Sequence, residues 1–186
     1  MDAIIISGMP AVGKTTVSRV VSEALGISMV GGGDVLKEMA VDEGFSSGGG
    51  DWWDTTDGMS FLKKREKSSG FDKEVDSRLL QKAKRGGVVI TSYPLPWLAE
   101  RGLKVWLAGS AKSRARRMAK RDGTTIQQSL KVLSVRDREN HKLYKKIYGI
   151  EFGKDLKPFD LVVDTDSIDE SRVAEIVLRY VKSRLD

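Results

Sequence analysis

A glycine-rich loop between a predicted strand and a predicted helix constrains this chain more than any other feature. Residues 8–15 read Gly-Met-Pro-Ala-Val-Gly-Lys-Thr and fit the pattern GxxxxGKS/T. The β-branched run at 3–7 predicts a buried strand, and apolar residues at helical spacing over 15–25 predict a helix. In that setting, backbone N–H groups and the helix N-terminus point toward bound phosphate oxygens. The loop therefore predicts a phosphate-binding site within an α/β fold.

Each part of this loop has an expected role in binding ATP. Lys14 is expected to reach the β- and γ-phosphates and to act in catalysis, and the Thr15 hydroxyl is expected to coordinate Mg²⁺. A glycine turn that merely joins strand to helix is the alternative. The residues expected to bind ATP are Gly8, Met9, Pro10, Ala11, Val12, Gly13, Lys14, Thr15 and Thr16.

Short apolar runs alternate with helical patterns along the rest of the chain. Further strands are predicted at 27–30, 88–91, 104–107 and 161–164. Helices are predicted at 34–43, 59–67, 72–85, 110–121 and 125–148, and from Ser167 onward, the last two opening on the capping boxes Thr125/Gln128 and Ser167/Glu170. Continuous apolar strands between helices are typical of a parallel sheet covered on both faces. We therefore expect residues 1–186 to form a single three-layer α/β domain with about five parallel strands.

The composition excludes several classes of protein. The chain has no cysteine and a single histidine, His141, which argues against disulfides, thiol catalysis, a Ser-His-Asp hydrolase and Cys- or His-rich metal sites. It has neither a run of eighteen apolar residues nor the pattern of a signal peptide. We therefore expect a cytoplasmic protein with no membrane partner.

The positive charge of the chain is concentrated in one segment. Residues 110–146 carry twelve Lys or Arg against three acidic residues, so that the segment is +9 and the remainder −3. Arg114, Arg117 and Arg121 share one helix face, and Asp122-Gly123 separates two basic helices. Such a pair is typical of a mobile lid over a compact polyanion. A nucleic-acid partner is the less favoured reading, and solvated helix faces are the ordinary alternative.

The loop alone does not choose among nucleotide-binding proteins. The chain lacks the Asn-Lys-x-Asp and Asp-x-x-Gly motifs of GTPases and is too short for a transporter-type ATPase. Small-molecule kinases remain, and phosphoryl transfer needs positioning and cations more than a strong base. A non-catalytic nucleotide- or nucleic-acid-binding module stays open as an alternative.

Several stretches together resemble the nucleoside monophosphate kinases, and most closely the archaeal-type cytidylate kinases. At 33–37 the chain reads Gly-Asp-Val-Leu-Lys where that family has Gly-Asp/Glu-x-x-Arg, and 144–151 reads Tyr-Lys-Lys-Ile-Tyr-Gly-Ile-Glu. The other stretches that carry the resemblance are 8–16, 71–78, 114–121, 136–143 and 159–165. The resemblance implies a P-loop kinase fold with a helical acceptor-binding insertion at about 34–85 and a helical lid at about 110–146.

The resemblance also implies a reaction, in which ATP and Mg²⁺ convert CMP or dCMP to the diphosphate. Arg117, Arg121 and Arg136 are then expected to join Lys14 in catalysis. The acceptor is expected to meet Asp34, Lys37, Asp76, Arg78 and Arg138. Asp34 is also a candidate Mg²⁺ ligand, directly or through water, with helix capping as its alternative. A surface ion pair is the alternative for Asp76 and Arg78.

The chain departs from the family pattern mainly around the acceptor. Lys37 replaces an arginine, Leu143 falls where the lid has a later arginine, and 91–94 reads Thr-Ser-Tyr-Pro in place of an acid followed by Gly-Arg. A small P-loop kinase acting on another nucleotide or metabolite therefore remains an alternative. Trp52 and Trp53 are expected to have a structural or closing role, and His141 to be an exposed lid residue.

Overall fold

A computed structural model describes residues 1–45 and 70–184 of the chain. Its strands are β1 (Ile4–Gly8), β2 (Ser28–Gly31), β3 (Val88–Thr91), β4 (Leu103–Ala108) and β5 (Leu161–Asp164). Its helices within these ranges are α1 (Lys14–Leu25), α2 (Gly32–Asp42), α3 (Gly70–Arg85), α4 (Leu95–Leu98), α5 (Ala111–Asp122), α6 (Ile126–Tyr148) and α7 (Glu170–Lys182). The predicted helix at 59–67, Trp52 and Trp53 lie outside the described residues.

The strands form one parallel sheet in the order β2-β3-β1-β4-β5. The central strand is β1, where Ile4 is in register with Val89 of β3 on one side and with Leu103 of β4 on the other. A strand in this position has both its edges and both its faces covered, which explains its continuous apolar sequence. The carboxyl ends of all five strands meet at one edge, so the loops after β1 and β3 are neighbours there. The predicted α/β sheet is confirmed.

Alternate residues of β1 point into two separate hydrophobic cores. Ile4 and Ile6 pack with Val17 of α1 and Val177 of α7. Ile5 faces the other way, into the core formed with α2, α3 and α4. The three predicted layers are therefore present, with helices on both faces of the sheet.

An aromatic cluster packs the end of α6 against β4. Phe152, which is fully buried, contacts the Trp106 ring of β4 at 5.6 Å and the Tyr144 ring of α6 at 5.4 Å between centroids. His141 is half-buried against Phe152, and its Nδ1 lies 2.7 Å from the Asp137 carbonyl oxygen. His141 is therefore not the exposed lid residue that we predicted, because its face of α6 packs on this cluster.

Helices α5 and α6 form the predicted basic hairpin. Gly123 ends α5 with a φ of +64°, a conformation that glycine adopts without steric cost. Thr125 then caps α6, and its capping box with Gln128 is present as predicted. The two helices share a small core of Ala115, Met118 and Leu133.

The structure differs from the sequence prediction at two helices. Helix α7 begins at Glu170, and its N-cap is Asp169, whose carboxylate accepts a hydrogen bond from the Arg172 N–H. The predicted capping box at Ser167 and Glu170 is therefore wrong, because a nearer carboxylate occupies the cap. The short helix α4 was not predicted, since a single turn carries no periodicity.

We predict that Phe152→Ala destabilises the protein by about 3–5 kcal/mol, because it empties the centre of a fully buried aromatic cluster. Denaturant unfolding followed by circular dichroism measures this change. Val162→Ala, at a side chain 47% exposed on β5, is the control and should shift stability by less than about 0.5 kcal/mol. Equal effects of the two variants would contradict the packing described above.

Candidate functional site

The loop after β1 needs glycine at both of its ends. Gly8 has a φ of +154°, and a Cβ there would lie 2.5 Å from the Leu107 carbonyl oxygen of β4. Gly13 has a φ of +103° and immediately precedes α1. Close approach to β4 and a sharp entry into the helix therefore account for the two glycines of the pattern. The arrangement leaves the N-terminus of α1 open at the edge of the sheet.

Ala11, in the middle of this loop, has a left-handed backbone conformation. Its φ is +61°, and among the described residues it is the one non-glycine with a positive φ. For an L-residue this conformation costs roughly 1–2 kcal/mol. Local strain of this kind persists only where surrounding contacts hold it in place.

Lys14 folds back over its own loop. Its Nζ donates to the carbonyl oxygens of Gly8 at 2.9 Å and Met9 at 3.0 Å, and lies 4.6 Å from the centre of the Tyr93 ring. Burial, together with the positive charges of Arg136 and Arg114, lowers the pKa of Lys14 to about 7. The amine therefore lies against the carbonyl oxygens of its own loop, in surroundings that disfavour its charge.

A cavity of about 340 Å³ opens beside Lys14 and Thr15. Its walls come from α2, α3, the segment after β3 and the second half of α6. Its other lining residues are Gly32, Gly33, Leu36, Asp72, Val75, Asp76, Leu79, Thr91, Ser92, Tyr93, Pro94, Asn140, Leu143 and Tyr144. It is large enough for a small organic substrate and joins the phosphate loop to the predicted insertion.

Asp76 presents a buried carboxylate to this cavity. It is 6% exposed, and its Oδ2 accepts a hydrogen bond of 2.8 Å from the Tyr148 hydroxyl of α6. Burial and the bond to Asp76 raise the pKa of Tyr148 above its usual value. The phenol therefore remains a donor, and it fixes the orientation of the Asp76 carboxylate.

The other residues predicted to bind the acceptor lie away from the cavity. The Asp34 carboxylate accepts the Gly31 N–H at 2.8 Å from the third position of α2, so it helps to cap the helix although the N-cap residue is Gly31 and not Asp34. Arg78 pairs with Asp42 at 2.6 Å and with Glu74 at 2.9 Å, and Arg138 pairs with Glu139. Lys37 is not among the lining residues. The structure therefore brings Asp76 to the cavity and leaves Asp34, Lys37, Arg78 and Arg138 outside it.

The three arginines predicted to be catalytic lie in three different places. Arg136 is close enough to Lys14 and Tyr93 to influence the pKa of both groups. Arg117 donates to the Thr165 carbonyl oxygen after β5, beside Val12 and Gly13. Arg121 is exposed and pairs with Asp122 at 2.6 Å. The structure therefore places only Arg136 near the Lys14 ammonium.

Sequence reasoning missed Tyr93 and misjudged Arg114. Tyr93 stands in the segment that departs from the family pattern, and its ring covers the Lys14 ammonium. The spacing places Arg114 on one lid face with Arg117 and Arg121, whereas Arg114 is 4% exposed and bonded to the loop and to Asp137. The helical spacing of the arginines predicts which side chains share a face of the helix, but it does not predict which part of the protein packs against that face.

A parallel five-stranded sheet with a GxxxxGKS/T loop at its edge, a helical hairpin and a cavity beside the loop lysine defines a small P-loop kinase. The model of a family described as an AAA domain matches residues 4–143. The shikimate kinase of Acinetobacter baumannii shares the fold, with a TM-score of 0.56 at 20% identity over 99% of this chain and 94% of that one.

Two archaeal relatives show the family more closely. The cytidylate kinase of Pyrobaculum aerophilum is 34% identical over 100% of this chain and 95% of its own length. That of Pyrococcus horikoshii is 32% identical over 94% of this chain and 85% of its own length. The chain belongs to the cytidylate kinase family.

None of the helices described within 1–45 and 70–184 is long and apolar enough to cross a membrane.

The lowered pKa of Lys14 predicts that binding of MgATP takes up a proton. At pH 8 the amine of the free protein is largely neutral, because its pKa is about 7, and the negative triphosphate should raise that pKa and recharge it. Calorimetric titration in two buffers of different ionisation enthalpy measures the uptake, which we expect to approach one proton. Lys14→Arg is the matched control, since arginine stays charged at this pH and should take up none. Buffer-independent enthalpies for the unsubstituted protein would refute the prediction.

Proposed function

We propose that this protein transfers the γ-phosphoryl group of ATP to CMP or dCMP and releases ADP and the pyrimidine nucleoside diphosphate. The observation that carries the proposal is the juxtaposition of Lys14 in the phosphate loop with the cavity that Asp76 lines. The names of the full-length relatives, which are cytidylate kinases, support CMP as the acceptor.

On the donor side, we assign the triphosphate to the loop formed by residues 8–16. Inward N–H groups and the N-terminus of α1 would hold its oxygens, and Lys14 would contact the β- and γ-phosphates. The acceptor cavity occupies one side of the loop, so we place the adenosine on the other, near Val12, Arg117 and Thr165. Arg117 would then bind the donor, a different role from the catalytic one expected from the sequence.

Mg²⁺ fits this site through a single protein oxygen. The Thr15 side chain lines the cavity at the start of α1, and magnesium commonly combines one or two protein ligands with phosphate oxygens and water. Within the described part of the chain no three His, Cys, Asp or Glu side chains cluster as metal ligands. Asp34 is not among the residues that line the cavity, and its Oδ2 accepts the Gly31 N–H, so we assign the metal to Thr15. When bound, the ion would neutralise charge on the transferring group.

On the acceptor side, we assign recognition to Asp76. Its fixed, buried carboxylate can accept a hydrogen bond from an amino group of the base or a hydroxyl of the sugar. The acceptor phosphate would lie toward Lys14 and Arg136, which supply positive charge at that end. Its oxygen is already ionised and attacks the γ-phosphorus directly, so a strong base is not required.

The acceptor is tested by a coupled assay of ADP release with CMP, dCMP, UMP, AMP and GMP. We expect the highest kcat/KM with CMP or dCMP. Activity with none of the five, in a protein that binds MgATP, would overturn the nucleotide acceptor.

Lys14→Ala should lower kcat by about two orders of magnitude or more, because it removes a cation from the transferring phosphate, while thermal unfolding shows that the fold is retained.

Asp76→Asn tests the acceptor contact. We expect the KM for CMP to rise about tenfold to a hundredfold, since a hydrogen bond to a charged group is lost, while the KM for ATP changes little. Steady-state kinetics with each substrate varied in turn measures this difference. Glu74→Gln, half-exposed on the same helix, is the matched control and should leave both constants unchanged. A rise in KM for ATP alone would contradict the assignment.

A further inference from the structure

Arg114 connects three segments that are distant in the sequence. Its Nε donates to the Gly109 carbonyl oxygen at 3.1 Å, and its Nη1 donates to the Pro10 carbonyl oxygen of the phosphate loop at 3.2 Å. Nη1 and Nη2 also bind the two carboxylate oxygens of Asp137 on α6, at 3.1 and 2.7 Å. Four of the five N–H donors of the guanidinium are therefore used for contacts within the protein, and the residue is 4% exposed.

The bond to Pro10 determines which way the next N–H points. In a trans peptide unit the C=O and N–H bonds point in opposite directions. Because Arg114 holds the Pro10 carbonyl on its own side of the loop, the Ala11 N–H points to the other side. The same peptide leads into the strained conformation of Ala11, whose φ is +61°. A flip of this peptide would relieve the strain and turn the N–H away.

Asp137 holds Arg114 in this position from the hairpin. The bidentate pair is largely buried, with side-chain exposures of 5% for Arg114 and 21% for Asp137. Bidentate arginine–carboxylate pairs fix geometry as well as charge. Arg136, the neighbour of Asp137 on α6, also lowers the pKa of Lys14 through its charge, as Arg114 does. Adjacent residues of α6 therefore act on two parts of the loop. Asp137 acts on its backbone through Arg114, and Arg136 lowers the pKa of Lys14.

We propose that Arg114, held by Asp137, is a positioning residue that keeps the Pro10–Ala11 peptide in the orientation that binds the triphosphate. It acts through the backbone of the loop and touches no substrate. The proposal rests on the proposed function in one respect, namely that this loop binds ATP.

The test is a double-mutant cycle between this ion pair and Ala11. The paired substitution Arg114→Met with Asp137→Leu removes both charges, so neither is left buried alone, and their opposite effects on the pKa of Lys14 offset each other. Ala11→Gly removes the strain, because glycine adopts a positive φ freely. We expect the paired substitution to weaken MgATP binding about tenfold with alanine at position 11, and less than about threefold with glycine there.

The Ala11→Gly variant alone is the reference for the second arm. The Ala11 methyl packs against the hairpin core, so this variant reports what that contact contributes by itself. Calorimetry gives the affinities for MgATP, and thermal unfolding checks each variant. If the paired variant does not fold, Arg114→Lys takes its place in the same cycle, since lysine keeps the charge but not the planar fork.

The outcomes separate the two proposals. A purely structural role predicts the same loss of affinity with alanine and with glycine at position 11, and that result would overturn the positioning role. No loss in the alanine background would overturn it as well. If the unsubstituted protein fails to bind MgATP, the proposed function fails before the cycle begins.

Discussion

The structure depends on a sharp reversal of the chain at the end of its central strand. Gly8 leaves β1 so close to Leu107 that a side chain would not fit, and Gly13 turns the backbone into α1. Between them the backbone polar groups have no partner strand to pair with, so they must bind a ligand, water or side chains. The Lys14 ammonium and the Arg114 guanidinium take three of the loop carbonyl oxygens, those of Gly8, Met9 and Pro10.

The fold was predictable from the sequence because its signals are local. The strands at 88–91 and 161–164 occur as predicted, and the Thr125/Gln128 box opens α6 as the sequence indicates. The site was predictable only in part. Asp34, Arg78 and Arg138 have the right chemistry for an acceptor, but Asp34 binds the Gly31 N–H just before its own helix, and both arginines pair with acidic residues on their own helices. The partner of a charged side chain is determined by tertiary packing, and the spacing of residues along the sequence does not predict it.

The basic segment shows that arginines within one helical hairpin can have different roles. Arg121 and Arg138 pair with acidic neighbours next to them in the sequence, which is ordinary for exposed helix faces. Arg114 is buried as part of the framework, and Arg117 reaches the loop after β5. The excess of charge predicts the basic hairpin, but it does not distinguish arginines buried within the protein from those exposed on its surface.

Helix α6 connects the surroundings of Lys14 with the Asp76 side of the cavity. Arg136 lies near Lys14, whereas Tyr148, twelve residues further along, holds Asp76 on α3. At 1.5 Å per residue, these two positions are about 18 Å apart along one continuous helix. Such a helix behaves as a stiff rod, and any tilt at one end displaces the other. Because α6 is continuous between Arg136 and Tyr148, a change in its tilt would move the neighbours of Lys14 and of Asp76 together.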